Sequence, residues 1–132
     1  GDAMVECFGG SKTATSIDEF VAEANTGLKA LLAPPFMHGA GHWMSFRTWL
    51  GGGTVFVQST PEHLDPSDVW GLVERERLNF LLIVGDAFAR PLLDELAHPA
   101  NGTGYDLSSL TVMLSGGAPL SANLKDVELM DI

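Results

Sequence analysis

The chain has 132 residues, 45% of them hydrophobic, so it is long enough to bury the core of one domain and too apolar to be disordered. Its 17 acidic residues outnumber the 7 basic ones, which gives a net charge of −10. No cluster of lysine and arginine offsets this charge. We therefore expect neither nucleic acid nor an anionic membrane surface as a partner.

The cysteine content and the hydropathy of the sequence indicate in which cellular compartment the protein lies. The single cysteine, Cys7, excludes an intramolecular disulfide framework and is typical of a reducing environment. The sequence contains neither an apolar run of about 20 residues, as a transmembrane segment requires, nor a secretory signal pattern. From these features we expect a cytoplasmic protein.

The first predicted helix begins near Ser16, because Ser16 followed by Glu19 has the spacing of a capping box. Its apolar positions predict an inward face. The residues on that face are Ile17, Phe20 and Val21. Residues 28–33 then form a short apolar run that stops at two prolines, which predicts a buried strand.

A second helix is predicted after the small residues of GAG, because Trp43, Phe46 and Leu50 recur at i, i+3 and i+7. We expect Trp43 and Phe46 to belong to the core and not to form an exposed stacking platform. The glycines at 51–53 end this helix, and the β-branched residues of 54–58 predict the next strand.

A third helix has strong start signals, with Asp65 at the N-cap and Pro66 at the first helical position. The residues predicted to be buried in it are Val69, Leu72 and Val73. Residues 80–84 are apolar on both alternating faces, as expected of a parallel strand that is covered on two sides.

The last predicted elements are a helix near residues 90–97, a strand at residues 110–114 and a final helix from Ser121. Pro91 is tolerable only in the first turn of its helix. Asp86, which follows the buried strand, either caps this helix or points into a cleft, and its chemistry favours capping.

Helices and strands alternate along the chain with short connections, which is typical of a doubly wound α/β fold. Because crossovers are right-handed, we expect a mostly parallel sheet with helices on both faces. We treat residues 1–132 as a single incomplete domain, since the last helix has no evident cap and four strands leave open hydrophobic edges. Those edges favour self-association.

Two loops are candidate binding elements, because ligands of open α/β sheets bind at the carboxyl ends of strands. PPFMHGAGH, residues 34–42, places His38 at a strand end, and SGGAPLS, residues 115–121, lets backbone approach a flat ligand. We expect both loops at the same edge of the sheet. Taken alone, the pair Gly116 and Gly117 favours an ordinary β-to-α turn.

Two other motifs are weaker evidence for a binding site. His38 and His42 would share a face of a helix, but no third ligand is evident, so we expect no metal site. GGSKT, residues 9–13, lacks the spacing of a phosphate-binding loop. No residue of the chain is predicted to be catalytic.

Four segments of the chain resemble, in their order and separation, the adenylate-forming superfamily of acyl-CoA synthetases, luciferases and adenylation domains. These segments are PPFMHGAGHW, LGGGTVFVQ, FLLIVGDAFARP and YDLSSLTVMLSGGAPLS. The likeness is greatest to bacterial fatty-acyl-CoA synthetases and extends over residues 28–125. The resemblance implies a parent enzyme that activates a carboxylic acid with Mg-ATP to an acyl-adenylate. That enzyme then passes the acyl group to coenzyme A.

The resemblance also implies roles for individual residues. His38 and Gly39 would line the acyl pocket together with Gly117 and Ala118. The adenine would lie along the glycine-rich turn. The residues placed beside it are Ser115, Gly116, Gly117, Ala118 and Pro119.

The chain departs from the family pattern in several places. The sequence contains no family phosphate loop, no magnesium-binding glutamate segment and no C-terminal lysine, and residues 1–15 match poorly. Val84-Gly85-Asp86 stands where the family often has Val-Pro. We therefore expect an internal fragment of the large N-terminal domain that is inactive alone and binds no ATP, Mg²⁺ or coenzyme A. A non-catalytic α/β binding or interaction module is the alternative.

Overall fold

A computed structural model of the chain describes residues 14–24 and 27–125. In chain order its elements are α1 (Ile17–Glu23), β1 (Lys29–Leu32), α2 (Gly39–Leu50), β2 (Thr54–Phe56), α3 (Pro66–Glu76), β3 (Phe80–Ile83), α4 (Gly85–Ala97), β4 (Val112–Ser115) and α5 (Ala122–Lys125). The strands form one parallel sheet in the order β2-β1-β3-β4. The predicted alternation of helices and strands is confirmed.

Helices cover both faces of the sheet, as right-handed crossovers require. Helix α2 packs on one face, whose core residues are Ala30, Leu32, Phe80 and Leu82. Helices α3 and α4 pack on the other face, where the core residues of the strands are Leu31, Leu81 and Ile83. All four residues of β3 are therefore buried, which confirms the doubly wound fold class.

The strand order positions the candidate site. The chain leaves β1 toward β2 on one side and leaves β3 toward β4 on the other, so the topological switch point lies between β1 and β3. The segment that follows β1 and the residues that follow β3 therefore border one crevice at the carboxyl edge of the sheet.

Two helices begin at the predicted caps. In α1, the Oγ atom of Ser16 accepts a hydrogen bond from the backbone N–H of Glu19 at 3.2 Å. In α3, Oδ1 of Asp65 accepts from the backbone N–H groups of Ser67 at 3.1 Å and Asp68 at 3.2 Å. Both caps satisfy N–H groups that have no partner inside their helix.

The prediction that α1 has a buried apolar face is wrong. Ile17 is 81% exposed and Val21 is 63% exposed. Phe20 is half-buried, and no residue of α1 is fully buried. The reason is that periodicity in a helix of 7 residues identifies an apolar face but does not supply an element to cover it.

The prediction that α2 buries its aromatic face is also wrong. Its large apolar side chains are partly exposed: Trp43 by 57%, Phe46 by 43% and Leu50 by 40%. The buried residues are instead the small ones, Gly41, Ser45 and Thr48. A Cβ atom on Gly41 would lie 2.7 Å from the carbonyl oxygen of Pro35, so the helix approaches this segment too closely for a larger side chain.

Helix α4 begins at Gly85, five residues before the predicted start near residue 90. Pro91 consequently lies in the helix interior and not in the first turn. Gly85 has a φ angle of +58°, which turns the chain from β3 directly into the helix. This early start removes the loop in which Asp86 was expected to act as a cap.

The remaining predictions concern the chain ends and the membrane. Helix α5 follows Ser121, as predicted. The motif GGSKT at residues 9–13 lies outside the described residues. Within the described residues, no helix combines the length and apolar character that crossing a bilayer demands.

Candidate functional site

His38 lies at the carboxyl end of β1 and caps α2. Its backbone is extended, and its Nδ1 atom accepts a hydrogen bond from the backbone N–H of Ala40 at 3.3 Å. Because Nδ1 is an acceptor, the neutral imidazole carries its proton on Nε2. The half-buried His38 therefore presents an N–H donor away from the helix that it caps.

Gly117 approaches the same imidazole from the β4 side. A Cβ atom on Gly117 would lie 2.9 Å from Cε1 of His38, 3.5 Å from its Nε2, and 3.7 Å from Cγ1 of Val84. The φ angle of Gly117 is +94°, which L-residues rarely adopt. The structure thus brings the two predicted loops together at one edge of the sheet, and both the backbone and the imidazole disfavour a side chain at position 117.

Gly116 and Gly39 border open space. A Cβ atom on either residue would meet no described atom within 4 Å beyond its chain neighbours or its own helix backbone. The backbone N–H of Gly116 donates to the carbonyl oxygen of Ile83 at 3.1 Å, so the turn starts as a continuation of the sheet. A planar group can therefore approach the backbone at Gly116.

The other predicted residues of the turn contact the start of α4. The Oγ atom of Ser115 accepts from the backbone N–H of Gly85 at 3.0 Å, and the carbonyl oxygen of Pro119 accepts from that of Asp86 at 3.2 Å. A Cβ atom on Gly85 would lie 2.9 Å from Cβ of Ala118. The structure therefore brings His38 and Gly117 together, whereas Ser115, Ala118 and Pro119 pack against α4.

Asp86 does not cap α4, contrary to prediction, because Val84 is the N-cap and makes no side-chain hydrogen bond there. The carboxylate of Asp86 instead accepts hydrogen bonds from the backbone N–H of Ser121 at 2.7 Å and from its Oγ. Nη2 of Arg90 donates to the same carboxylate at 3.1 Å. The Ser121 hydroxyl, followed by the Ser121 backbone, lowers the pKa of Asp86 below its usual range.

Gly85 and Asp86 are not among the predicted site residues, although the turn rests on them. Two sequence signals point to them: Val84-Gly85-Asp86 departs from the family pattern, and Asp86 lies just after a buried strand. Their partners lie 30 and 35 residues farther along the chain, so spacing within a motif does not reveal them.

A mostly apolar cavity of about 420 Å³ adjoins the loop that precedes His38. It lies at the carboxyl ends of β1 and β2. Its lining includes Leu32, Pro34, Phe36, Met37, Val57 and Gln58. No motif predicted this cavity, because residues 32–37 and 57–58 meet only when β1 and β2 pair.

In the part of the chain that the structure describes, no three His, Cys, Asp or Glu side chains are placed to hold a metal ion. The ring of His42 instead lies 5.1 Å from that of Phe46, centroid to centroid. Within the described residues, His42 therefore packs against an aromatic ring of its own helix.

An open parallel sheet with a histidine and a glycine-rich turn facing each other at its switch point belongs to the doubly wound α/β class, whose ligands bind at that point. The model of the AMP-binding enzyme family matches residues 5–127. The chain therefore belongs to the AMP-binding, adenylate-forming enzyme family, as its motifs predict.

Curated relatives and solved structures agree with this assignment. The chain is 37% identical over 131 residues to the medium-chain acyl-CoA ligase Mig of Mycobacterium avium, an alignment that covers 94% of this chain and 23% of Mig. It is 39% identical over 127 residues to the medium/long-chain-fatty-acid--CoA/3-oxocholest-4-en-26-oate--CoA ligase of Mycolicibacterium smegmatis, covering 90% of this chain and 22% of the relative.

Among solved structures, the amide bond synthetase McbA of Marinactinospora thermotolerans has a TM-score of 0.64 at 27% identity. This match covers 93% of the present chain and 22% of McbA. The chain thus spans less than a quarter of the length of the relatives that it matches.

Proposed function

We propose that this chain is part of an ATP-dependent fatty-acyl-CoA ligase. The parent enzyme activates a carboxylic acid to an acyl-adenylate and then transfers the acyl group to the thiol of coenzyme A. One observation carries the proposal: His38 and Gly117 meet at the switch point of the sheet, in a chain whose relatives are named as acyl-CoA ligases.

In this proposal His38 orients the substrate carboxylate. Its Nε2–H donates to one carboxylate oxygen, while the hydrogen bond from Ala40 to Nδ1 fixes the ring. The other oxygen forms a bond to the α-phosphorus of ATP as the bond to pyrophosphate breaks. The acid reacts as its carboxylate, so this step requires no proton acceptor. Positioning and electrostatic stabilisation are then the contributions of this chain.

The glycines accommodate the two halves of the acyl-adenylate. The adenine lies along residues 115–119, where the open space at Gly116 fits a flat ring. Gly39 and Ala118 complete the acyl pocket beside His38 and Gly117. The apolar cavity that includes Phe36 and Met37 borders the segment directly before His38, and its lining suits the tail of a fatty acid.

The same proposal covers the organisation of the parent protein. Residues 1–132 are one incomplete domain, and magnesium, the phosphates of ATP and coenzyme A require segments outside this chain. The chain alone is then inactive and self-associates through its edge strands β2 and β4, where Val112 and Leu114 are 47% and 44% exposed. We place the parent enzyme in the cytoplasm. A non-catalytic interaction module is not favoured, because the relatives are named as ligases.

The full-length protein provides the test, by ATP–pyrophosphate exchange with fatty acids of increasing chain length. His38→Asn is the informative variant, because asparagine is also a good N-cap and preserves the start of α2. We expect kcat/KM for adenylation to fall about tenfold or more, in line with the loss of one charge-assisted hydrogen bond.

The matched control is His42→Asn, which changes a histidine on the outer face of the same helix. We expect its exchange rate to remain within about twofold of the parent, as for other surface substitutions. Absence of exchange with every fatty acid would overturn the proposal. Equal rates for the His38 and His42 variants would remove His38 from the site.

A further inference from the structure

We propose that Asp86 is a positioning residue, which fixes the turn of residues 115–121 to the start of α4 and so holds Gly117 against His38. This inference rests on the proposed function, because the position of the turn affects catalysis only if the turn lines the nucleotide and acyl site.

The turn is held at both ends by two consecutive residues of α4. At its beginning, the backbone N–H of Gly85 donates to Oγ of Ser115 at 3.0 Å. At its end, the carboxylate of Asp86 accepts from both the backbone N–H and the hydroxyl of Ser121. The backbone N–H of Asp86 also donates to the carbonyl oxygen of Pro119 at 3.2 Å. Gly117 lies between these two attachments.

Gly85 lets the turn sit directly on the helix. A Cβ atom on Gly85 would lie 2.5 Å from the carbonyl oxygen of Pro119, so any side chain there would displace the turn. A proline, which the family often has after this strand, would carry no N–H to donate to Ser115. Gly85 thus provides an attachment to Ser115 that a proline at the same position does not.

The carboxylate of Asp86 is suited to this role. It accepts two hydrogen bonds from Ser121 and one from Arg90, and bonds to an ionised acceptor are stronger than those between neutral groups. The Ser121 hydroxyl holds the pKa of Asp86 low, so this acceptor stays charged at neutral pH. The side chain of Asp86 is 29% exposed, so its charge is partly screened by solvent.

The experiment compares Asp86→Ala with Asp106→Ala in the full-length protein. Asp106 is a matched control, because its carboxylate also accepts from a serine backbone, that of Ser108 at 2.9 Å, and from an arginine, Arg77 at 2.7 Å. It lies before β4, at the opposite edge of the sheet from the turn. Both variants lose hydrogen bonds from a serine and an arginine, but only Asp86→Ala frees the turn.

We expect Asp86→Ala to raise the KM for ATP and the Kd of a non-reactive acyl-adenylate analogue about tenfold, while kcat changes less than about twofold. The physical reason is that binding must then also order the turn. The backbone N–H groups of residues 115–118 and 120–121 should exchange hydrogen about tenfold faster in this variant. Asp106→Ala should leave the KM, the Kd and these exchange rates within about twofold of the parent.

Unchanged KM and Kd in Asp86→Ala, or equal changes in the Asp106 variant, would overturn the inference. If Asp86→Ala does not fold, Ser121→Ala takes its place, with an expected rise of about threefold in the same constants; no rise would overturn the inference. Failure of the proposed function is distinct, because the unmodified protein would then show no ATP–pyrophosphate exchange. Hydrogen exchange would still decide whether Asp86 fixes the turn.

Discussion

Replacing Gly117 with alanine perturbs the contact on which the proposed site depends. Two costs arise. The φ angle of +94° is unfavourable for an L-residue, and such a conformation costs about 1–3 kcal/mol. The added Cβ atom would also lie 2.9 Å from Cε1 of His38. The imidazole must then leave its rotamer, at a cost of about 0.5–1.5 kcal/mol.

The contact can be separated from the backbone strain by a double-mutant cycle. In a His38→Ala background the imidazole is absent, so Gly117→Ala should cost only the backbone term. We therefore expect a coupling energy of about 1 kcal/mol between the two substitutions. Native-state hydrogen exchange of the β3 amides is the appropriate assay, because it reports the opening of this domain within a longer protein.

Gly116→Ala is the control, since a Cβ atom there meets nothing within 4 Å apart from its chain neighbours. Its effect on the free energy of opening should stay within about 0.5 kcal/mol. Additivity of Gly117→Ala and His38→Ala within about 0.3 kcal/mol would refute the reasoning, because the added Cβ atom would then not meet the imidazole.

Two further predictions concern stability. Trp70→Phe removes a buried hydrogen bond of 2.9 Å from Nε1 to the carbonyl oxygen of Leu92. This loss should lower the free energy of unfolding by about 1–3 kcal/mol. Trp49→Phe is the control, because Trp49 is 53% exposed, and it should change that free energy by less than about 0.5 kcal/mol in the same hydrogen-exchange assay. Asp65→Ala removes a cap and should cost about 1 kcal/mol at neutral pH. Hydrogen bonding, first from the Ser67 side chain, lowers the pKa of Asp65, so this stabilisation is present above the unfolded-state pKa and is lost as the pH falls through the folded-state pKa. The difference from the parent should therefore shrink in acid, and a pH-independent difference would contradict the assignment.

Elements whose signals are local were predictable from the sequence. Asp65 followed by Pro66 marks the start of α3 because a cap and a fixed φ angle act within a few residues. Residues 80–83 predict a strand that is covered on both faces of the sheet, because every side chain in it is apolar. The carboxyl edge of a parallel sheet is also a general site for ligands, so the convergence of His38 and Gly117 follows once the strands are placed.

Individual hydrogen bonds between distant segments were not predictable. Asp86 and Ser121 are 35 residues apart, and no pattern in the sequence around either residue predicts that they form a hydrogen bond. The early start of α4 depends on the positive φ angle of Gly85, a conformation that glycine permits but does not require. A glycine between a strand and a helix is equally typical of a loop. For this reason the sequence predicts a loop at residues 85–89, before a helix that begins near residue 90.

Helix α2 shows how the same spacing supports two opposite orientations. Its outer stripe consists of Trp43, Phe46 and Leu50, and its inner stripe consists of Gly41, Ser45 and Thr48. Both stripes recur with helical period, so periodicity alone cannot tell which one faces the sheet.

Hydrogen bonding within the helix makes the small stripe the better inner face. The hydroxyl of Ser45 donates to the carbonyl oxygen of Gly41 at 2.7 Å, and that of Thr48 donates to the carbonyl oxygen of Met44 at 2.8 Å. Both hydroxyls are thus satisfied without water, and their burial costs little. The small side chains allow α2 to lie close to the sheet, whereas an aromatic stripe would hold it away. Since His38 caps this helix, the residues that turn the aromatic rings outward are also those that set His38 beside Gly117.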